Sequence, residues 1–223
     1  MICDCPAAAA IPTIPTFDCA ENFGQIQKIA FQRLRKTATV GGVTTIEDNG
    51  FIEGTNSIKD KASWTAAMAL TDGGKIAVSP FIEAPTQEGG DARTYGGGND
   101  TLGGIEIIVG SNPSNFSCVL RRCPQNVIAA LKQLQCEAVG GNLGVYLFSE
   151  NGQIEAIEEV TGTGQTAQTK YKPIPIRSFF VGDKVHGGFE EPDYNNINFA
   201  FEPNYSDNLK VVTPTAPFNP LDL

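Results

Sequence analysis

The chain has 223 residues, and its 16 basic and 25 acidic side chains give a net charge of −9. This length suits one domain with a core of its own, and 41% hydrophobic with 18% charged residues is typical of a globular protein. No stretch approaches the ~18 apolar residues of a membrane span, and the first residues lack the basic region of a signal peptide. We therefore expect a soluble, acidic, cytosolically made protein, whose charge disfavours tight docking on nucleic-acid phosphates or membranes.

The residue inventory also restricts the chemistry. His186 is the single histidine, which excludes multi-histidine metal sites and leaves one candidate for a nucleophile pair. No phosphate-binding loop, zinc-protease, nucleophile-elbow or calcium-loop pattern occurs in the sequence. We expect neither an enzyme nor a cofactor, and we interpret His186 as a surface or turn residue.

The spacing of the six cysteines indicates neither a disulfide framework nor a metal site. Cys118 and Cys136 fall in apolar patterns that predict buried free thiols. Cys123 comes just before a predicted helix, whose N-terminus can lower a thiol pKa, although a plain residue preceding the helix is the favoured interpretation. The others lie near the N-terminus without the paired spacing of zinc sites: Cys3, Cys5 and Cys19.

The first half of the chain predicts an arm followed by short strands and one helix. Residues 1–22 read as an extended arm, because prolines break any helix and the apolar residues show no period. The stretch 23–36 alternates like a strand and is the most basic part of the chain, which favours a subunit interface or the outer surface. A short strand and turn follow at 40–50, a capped helix is predicted over 55–70, and 75–80 is a strand.

Residues 81–104 form the longest stretch without a pattern. The segment is rich in glycine, carries a net charge of −3 and has little apolar content, so we predict a mobile loop that contacts a partner. The candidate contact residues are Glu88, Asp91, Arg93, Tyr95 and Asp100.

The second half contains the best helix and most of the strands. Pro124 suits the first turn of a helix over about 123–139, and apolar residues repeat at helical spacing until two glycines end it. Asn151-Gly152 is a strong hairpin signal. Residues 213–223 read as a C-terminal arm. The predicted strands are 105–109, 116–120, 143–148, 153–160, 174–181, 197–201 and 209–212.

Three carboxylates crowd the strand at 153–160: Glu155, Glu158 and Glu159. Paired carboxylates can perform acid–base catalysis, but no other catalytic group accompanies these. An outward-facing acidic strand is the favoured interpretation.

These elements predict an α+β domain at 23–212 between the arms 1–22 and 213–223. The domain is expected to be mainly an antiparallel β-sandwich or barrel, with one flanking helix at about 123–139 and a long loop at 81–104.

Three long blocks of this sequence resemble the tail tube (major tail) proteins of long-tailed bacteriophages. They cover most of the chain, at 63–110, 121–154 and 178–214; the middle block reads RRCPQNVIAALKQLQCEAVGGNLGVYLFSENGQI. The resemblance is one of overall pattern, with no short invariant motif.

The resemblance implies a β-sandwich or barrel flanked by a helix, whose copies assemble into rings that stack into a hollow tube. Partners would be further copies of the chain and other tail proteins, and the location would be the virion, assembled in the host cytoplasm. DNA would pass through without specific binding. Net charge −9 suits such a conduit, because a negative wall repels phosphates; Glu155, Glu158 and Glu159 are candidates to line it.

Other functions remain open at this point. A capsid decoration or head–tail connector protein would also be an acidic, β-rich assembly. A ligand-binding β-sandwich needs exposed aromatic side chains in a groove. The candidates for such side chains are Tyr95, Tyr194 and Tyr205, which lie in predicted loops.

We predict that all six cysteines are free thiols and that no metal is structural, because a cytosolic protein keeps its thiols reduced. Thiol titration of the denatured protein without reductant, together with metal analysis, checks this. A shortfall of reactive thiols, or stoichiometric zinc, would contradict it.

Overall fold

The computed structural model describes residues 22–40, 43–100, 102–162 and 167–223. The predicted N-terminal arm lies outside the described residues, apart from Asn22, and so do Cys3, Cys5 and Cys19.

The described chain contains short strands, two α-helices and a few 3-10 turns. The helices are α1 (Lys61–Ala69) and α2 (Gln125–Val139). The strands of the first half are β1 (Ile26–Arg33), β2 (Arg35–Val40), β3 (Val43–Asp48), β4 (Phe51–Ile52), β5 (Ile76–Val78), β6 (Glu83–Glu88), β7 (Ala92–Gly96) and β8 (Glu106–Ser111). Those of the second half are β9 (Asn115–Arg121), β10 (Leu143–Ser149), β11 (Ile154–Thr161), β12 (Gln168–Lys172), β13 (Ile174–Val181), β14 (Tyr194–Phe201) and β15 (Leu209–Val212).

Most strands belong to one bent antiparallel sheet. Its order is β4-β12-β11-β10-β13-β14-β9-β6, while β1 pairs with β10 and β5, and β15 pairs with β11. Strand β13 makes the bend, because it pairs with β10 at its start and with β14 along the rest of its length. The sheet therefore folds over itself as a sandwich and does not close into a barrel.

Strand β10 is the centre of the structure, because every one of its residues is buried. Its side chains alternate between two apolar cores: Leu143, Val145 and Leu147 face one, and Tyr146 and Phe148 face the other. Strands buried on both faces read as continuous apolar runs, and LGVYLFS is such a run.

The first core lies between the two layers of the sandwich and under α2. Phe116 stacks on Phe199 with ring centroids 4.7 Å apart, and α2 contributes Ile128 and Leu131. The helical spacing of the apolar residues of α2 is what turns one stripe of the helix towards the sheet.

The second core lies on the opposite face of β1 and β10 and is dominated by aromatic rings. Trp64 of α1 is fully buried and lies 5.2 Å from the rings of both Tyr146 and Phe148. Its indole N–H donates a 2.7 Å hydrogen bond to the carbonyl of Ile58. Aromatic pairs in this geometry stabilise a core by about 0.5–1.5 kcal/mol beyond the area they bury.

The predicted fold class is confirmed: the protein is mainly antiparallel β-structure, with α2 at the predicted flanking position. The helix predicted over 55–70 forms as α1, so two helices accompany the sheet. The predicted long loop at 81–104 is wrong in part. Strand β6 pairs with β9 in the main sheet, and β7 pairs with β8 in a separate hairpin. Pairing to neighbouring strands, rather than local apolar content, orders this segment.

The C-terminal segment 213–223 lies against its own domain. Phe218, Leu221 and Leu223 pack on the second core. The ammonium group of Lys28, a residue only 7% exposed, donates hydrogen bonds of 2.7 and 2.9 Å to the carbonyl oxygens of Leu221 and Leu223. The segment predicted as a C-terminal arm therefore packs on the domain that it follows.

Two of the three described cysteines are buried. Burial raises the pKa of the Cys118 thiol to about 12 and also raises the pKa of Cys123, so no helix terminus activates Cys123. Cys136 was predicted to be buried, but it lies on the exposed side of α2. All three are free thiols.

Replacing Lys28 with Met should loosen the C-terminal segment, because two carbonyl oxygens would lose their charged donor. Hydrogen bonds to charged groups contribute about 1.5–3 kcal/mol, so the free energy of unfolding should fall by about 1–3 kcal/mol. Amide hydrogen exchange over 215–223 and urea unfolding measure both effects. The matched variant Lys210→Met changes an exposed lysine and should behave like wild type; equal effects in the two variants would refute the role of Lys28.

Candidate assembly site

The hairpin formed by β7 and β8, hereafter the apolar hairpin, stands apart from the main sheet. Among the described residues its two strands pair only with each other, with Tyr95 opposite Ile107 and Thr94 opposite Ile108. A two-stranded hairpin without further packing is marginally stable in water. In the described part of the chain, this segment therefore lacks the packing that stabilises the strands of the main sheet.

Large apolar side chains are exposed on both faces of the apolar hairpin. Ile107 and Tyr95 lie on one face and are 55% and 62% exposed, whereas Ile108 lies on the other face and is 70% exposed. Ile105 and Val109 add to this surface. Contiguous exposed apolar residues of this kind mark sites of contact with other macromolecules.

The candidate contact residues of the sequence analysis lie on or beside this hairpin, and all are exposed. Arg93 and Tyr95 belong to β7. Glu88 is the last residue of β6, Asp91 lies between β6 and β7, and Asp100 lies in the connection from β7 to β8. The isoleucines of β8 were predicted only as part of a strand at 105–109, so sequence reasoning missed Ile108, the most exposed apolar residue of this surface. Their apolar pattern predicted a strand, but no local signal distinguishes a strand covered by its own chain from one left open.

The base of the apolar hairpin is narrow. A Cβ atom placed on Gly90 would lie 2.3 Å from the carbonyl oxygen of Asn112, and the Asn112 amide donates a 2.8 Å hydrogen bond to the carbonyl of Asp91. Only glycine permits this approach at position 90. The hairpin thus leaves and re-enters the domain at one point.

The three carboxylates proposed to line a conduit do not share one face of β11. Glu158 lies on the face of Ile154 and Ala156 towards the second core, and it accepts a 3.3 Å hydrogen bond from the Tyr171 hydroxyl. Glu155 and Glu159 alternate to the opposite face. Moreover, β11 pairs with strands on both of its edges. The prediction of one outward-facing acidic strand is therefore wrong.

Glu159 belongs to an ion-pair network at the base of the hairpin formed by β2 and β3. The Lys172 ammonium lies 2.9 Å from a Glu159 carboxylate oxygen and 2.7 Å from one of Asp48. The other oxygen of Asp48 lies 3.5 Å from the Arg35 guanidinium. The hydrogen bond from Lys172, together with the nearby positive charges, lowers the pKa of Asp48.

An uncharged polar strip crosses the outer face of β6, β9 and β14. Thr86 lies opposite Ser117, and their hydroxyl oxygens are 2.6 Å apart. Ser117 in turn lies opposite Asn198, and Asn196 follows on the same face. Sequence reasoning did not single out this strip, because alternating Asn and Ser residues also read as ordinary solvent-facing positions of a strand.

The aromatic residues proposed for a ligand groove are not brought together. Tyr194 begins β14 beside Arg121, whereas Tyr205 follows the end of β14 and stacks on Phe201. His186 is exposed, and its Nδ1 atom lies 3.1 Å from a carboxylate oxygen of Asp193.

No group of three or more His, Cys, Asp or Glu side chains within the described residues could hold a metal ion. No helix in the described part of the chain is long and apolar enough to cross a membrane.

No protein-family model matches the chain, and no curated protein matches it significantly.

Replacing Asp48 with Asn should change how the stability depends on pH. A carboxyl whose pKa is lowered by folding stabilises the protein above its ordinary pKa of 3.8, and this stabilisation is lost as the pH falls through the lower value. Wild type should therefore lose stability more steeply than Asp48→Asn below about pH 4. Urea unfolding between about pH 3 and 7 measures this, with Asp207→Asn as control. Parallel profiles for wild type and Asp48→Asn would disprove it.

Proposed function

We propose that this chain is the structural subunit of a phage tail tube, in which copies form rings and the rings stack into a conduit for DNA ejection. The observation that carries the proposal is the apolar hairpin. Its isoleucines and Tyr95 are exposed on both faces, and a neighbouring subunit supplies the cover that the described residues of this chain do not.

Two further features support the proposal. The sequence blocks that resemble tail tube proteins include the apolar hairpin itself. The net charge of −9 repels DNA phosphates, which keeps DNA mobile in a narrow passage.

The open edges of the sheet also favour self-assembly. Strands β4 and β6 end the order of the sheet, and unpaired edge groups are a template for pairing with another chain. In β6, Pro85 removes one backbone donor, which limits uncontrolled pairing at that edge while leaving room for a specific contact.

Electron microscopy of the concentrated purified protein tests the proposed function directly. Tubes or stacked rings would support a tail tube. Closed single rings would favour a head–tail connector protein, and a monomer that binds only to capsids would favour a decoration protein.

Excising the apolar hairpin should abolish tubes without unfolding the subunit. The variant joins Gly90 to Asn112 and omits 91–111, which is feasible because these two residues are already in contact. The two cores contain no residue of the omitted segment, so circular dichroism and thermal unfolding should match wild type. A variant that polymerises normally would refute the role of the hairpin.

A point variant separates the apolar contact from the loss of the whole hairpin. Burying an isoleucine contributes about 1.5–3 kcal/mol, so Ile108→Asp should raise the critical concentration for assembly at least about tenfold. Val160→Asp is the matched control, because Val160 is also an exposed apolar strand residue, at 58%. Equal effects of the two variants would indicate a general surface effect.

A further inference from the structure

A cleft of about 570 Å³ lies at the base of the hairpin formed by β2 and β3. Its apolar wall includes Leu34, Ile46 and Pro173, and Ile46 is 73% exposed. The volume is within the range of sites that enclose several large groups. No residue of the apolar hairpin lines this cleft, so the chain does not fill it with its own exposed isoleucines.

The cleft is cationic in a protein that is strongly acidic. Its charged lining residues are Arg35, Lys36, Lys172 and Arg177 against Asp48 and Glu202, a net charge of +2. Lys172 and Arg177 are held in ion pairs with these carboxylates and with Glu159. Lys36 has no ion-pair partner among the described residues, and Arg35 makes only one long contact, at 3.5 Å. These two side chains remain available for an anionic partner.

The apolar hairpin has the opposite charge. Together with the segment 88–91 that leads into it, the hairpin carries four carboxylates and one guanidinium, a net charge of −3. None of these carboxylates makes an ion pair within the described part of the chain: Glu88, Asp91, Asp100 and Glu106. Unpaired carboxylates beside exposed isoleucines match a cleft that has unpaired cations beside an apolar wall.

Charge also selects one face of the apolar hairpin. Glu106 and Ile108 alternate to the same face of β8, together with Thr94 of β7. Arg93 lies on the other face with Tyr95 and Ile107. The Glu106–Ile108 face is therefore the one that suits a cationic cleft.

We propose that the cleft at the base of the β2–β3 hairpin receives the Glu106–Ile108 face of the apolar hairpin from a second copy of this chain. Ile108 packs against the apolar wall near Ile46, and Glu106 and Asp100 meet Arg35 and Lys36. Because donor and acceptor are different surfaces, the contact is heterologous and propagates from subunit to subunit. This inference rests on the proposed self-assembly and names the surface that each copy offers to the next.

Charge reversal on each surface tests the proposal. The hairpin variant is Asp100→Lys with Glu106→Lys, and the cleft variant is Arg35→Glu with Lys36→Glu. Each alone should raise the critical concentration for assembly at least about tenfold, because like charges then face each other. An equimolar mixture should assemble again, since each variant offers a surface complementary to the other. Controls are Glu190→Lys and Lys210→Glu, which reverse exposed charges elsewhere and should assemble as wild type does.

Light scattering and electron microscopy measure the extent of assembly, and circular dichroism checks that each variant is folded. If the cleft double variant does not fold, Lys36→Glu alone replaces it, with the same expectation for the mixture. Variants that assemble like wild type, or a mixture of folded variants that stays unassembled, would overturn this contact while leaving the proposed function intact. A wild-type protein that remains monomeric at high concentration would overturn both.

Discussion

The fold depends on the burial of β10 on both of its faces. Tyr146 and Phe148 anchor the aromatic core under α1, while Val145 and Leu147 anchor the core shared with α2 and the outer layer. Close packing on both sides leaves no room for changes of size. The Tyr146 hydroxyl is buried among these rings and donates a 3.1 Å hydrogen bond to the Gln32 side chain, so the one polar atom that β10 places in the aromatic core has its partner. This strand therefore joins the two cores around which the other elements pack.

The two hairpins are excluded from these cores. Within the part of the chain that the structure describes, strands β2 and β3 pair only with each other, as do β7 and β8. One hairpin is acidic and bears exposed isoleucines, while the other borders a cationic cleft. A domain whose stability comes from a doubly covered central strand tolerates such projections, because their side chains contribute nothing to its cores.

The sequence predicted the elements whose local pattern and environment agree. The period of α2, the Asn151-Gly152 turn and the apolar run of β10 all point to the structure that forms. Strand β6 could not be predicted, because EAPTQE has no apolar alternation and its order comes from pairing with β9. The exposure of Cys136 and of Ile108 could not be predicted either, because the exposure of an apolar residue depends on which other elements cover it in the folded chain. The contacts of the acidic residues of β11 could not be predicted for the same reason, because their partners Tyr171 and Lys172 belong to a different strand, β12.

The basic stretch of β1 and β2 shows that the fold decides which charges of a cluster are paired and which stay exposed. Read along the chain, Arg33, Arg35 and Lys36 form one cluster that is awkward for a DNA conduit. In the structure, Arg33 pairs with Glu137 of α2, Arg35 makes one long contact with Asp48, and Lys36 stays without an ion pair among the described residues. Folding pairs Arg33 with a carboxylate, whereas Arg35 and Lys36 line the cleft beside its apolar wall. A cation beside apolar surface suits an acidic, apolar partner, and the hairpin formed by β7 and β8 is itself acidic and exposes apolar side chains.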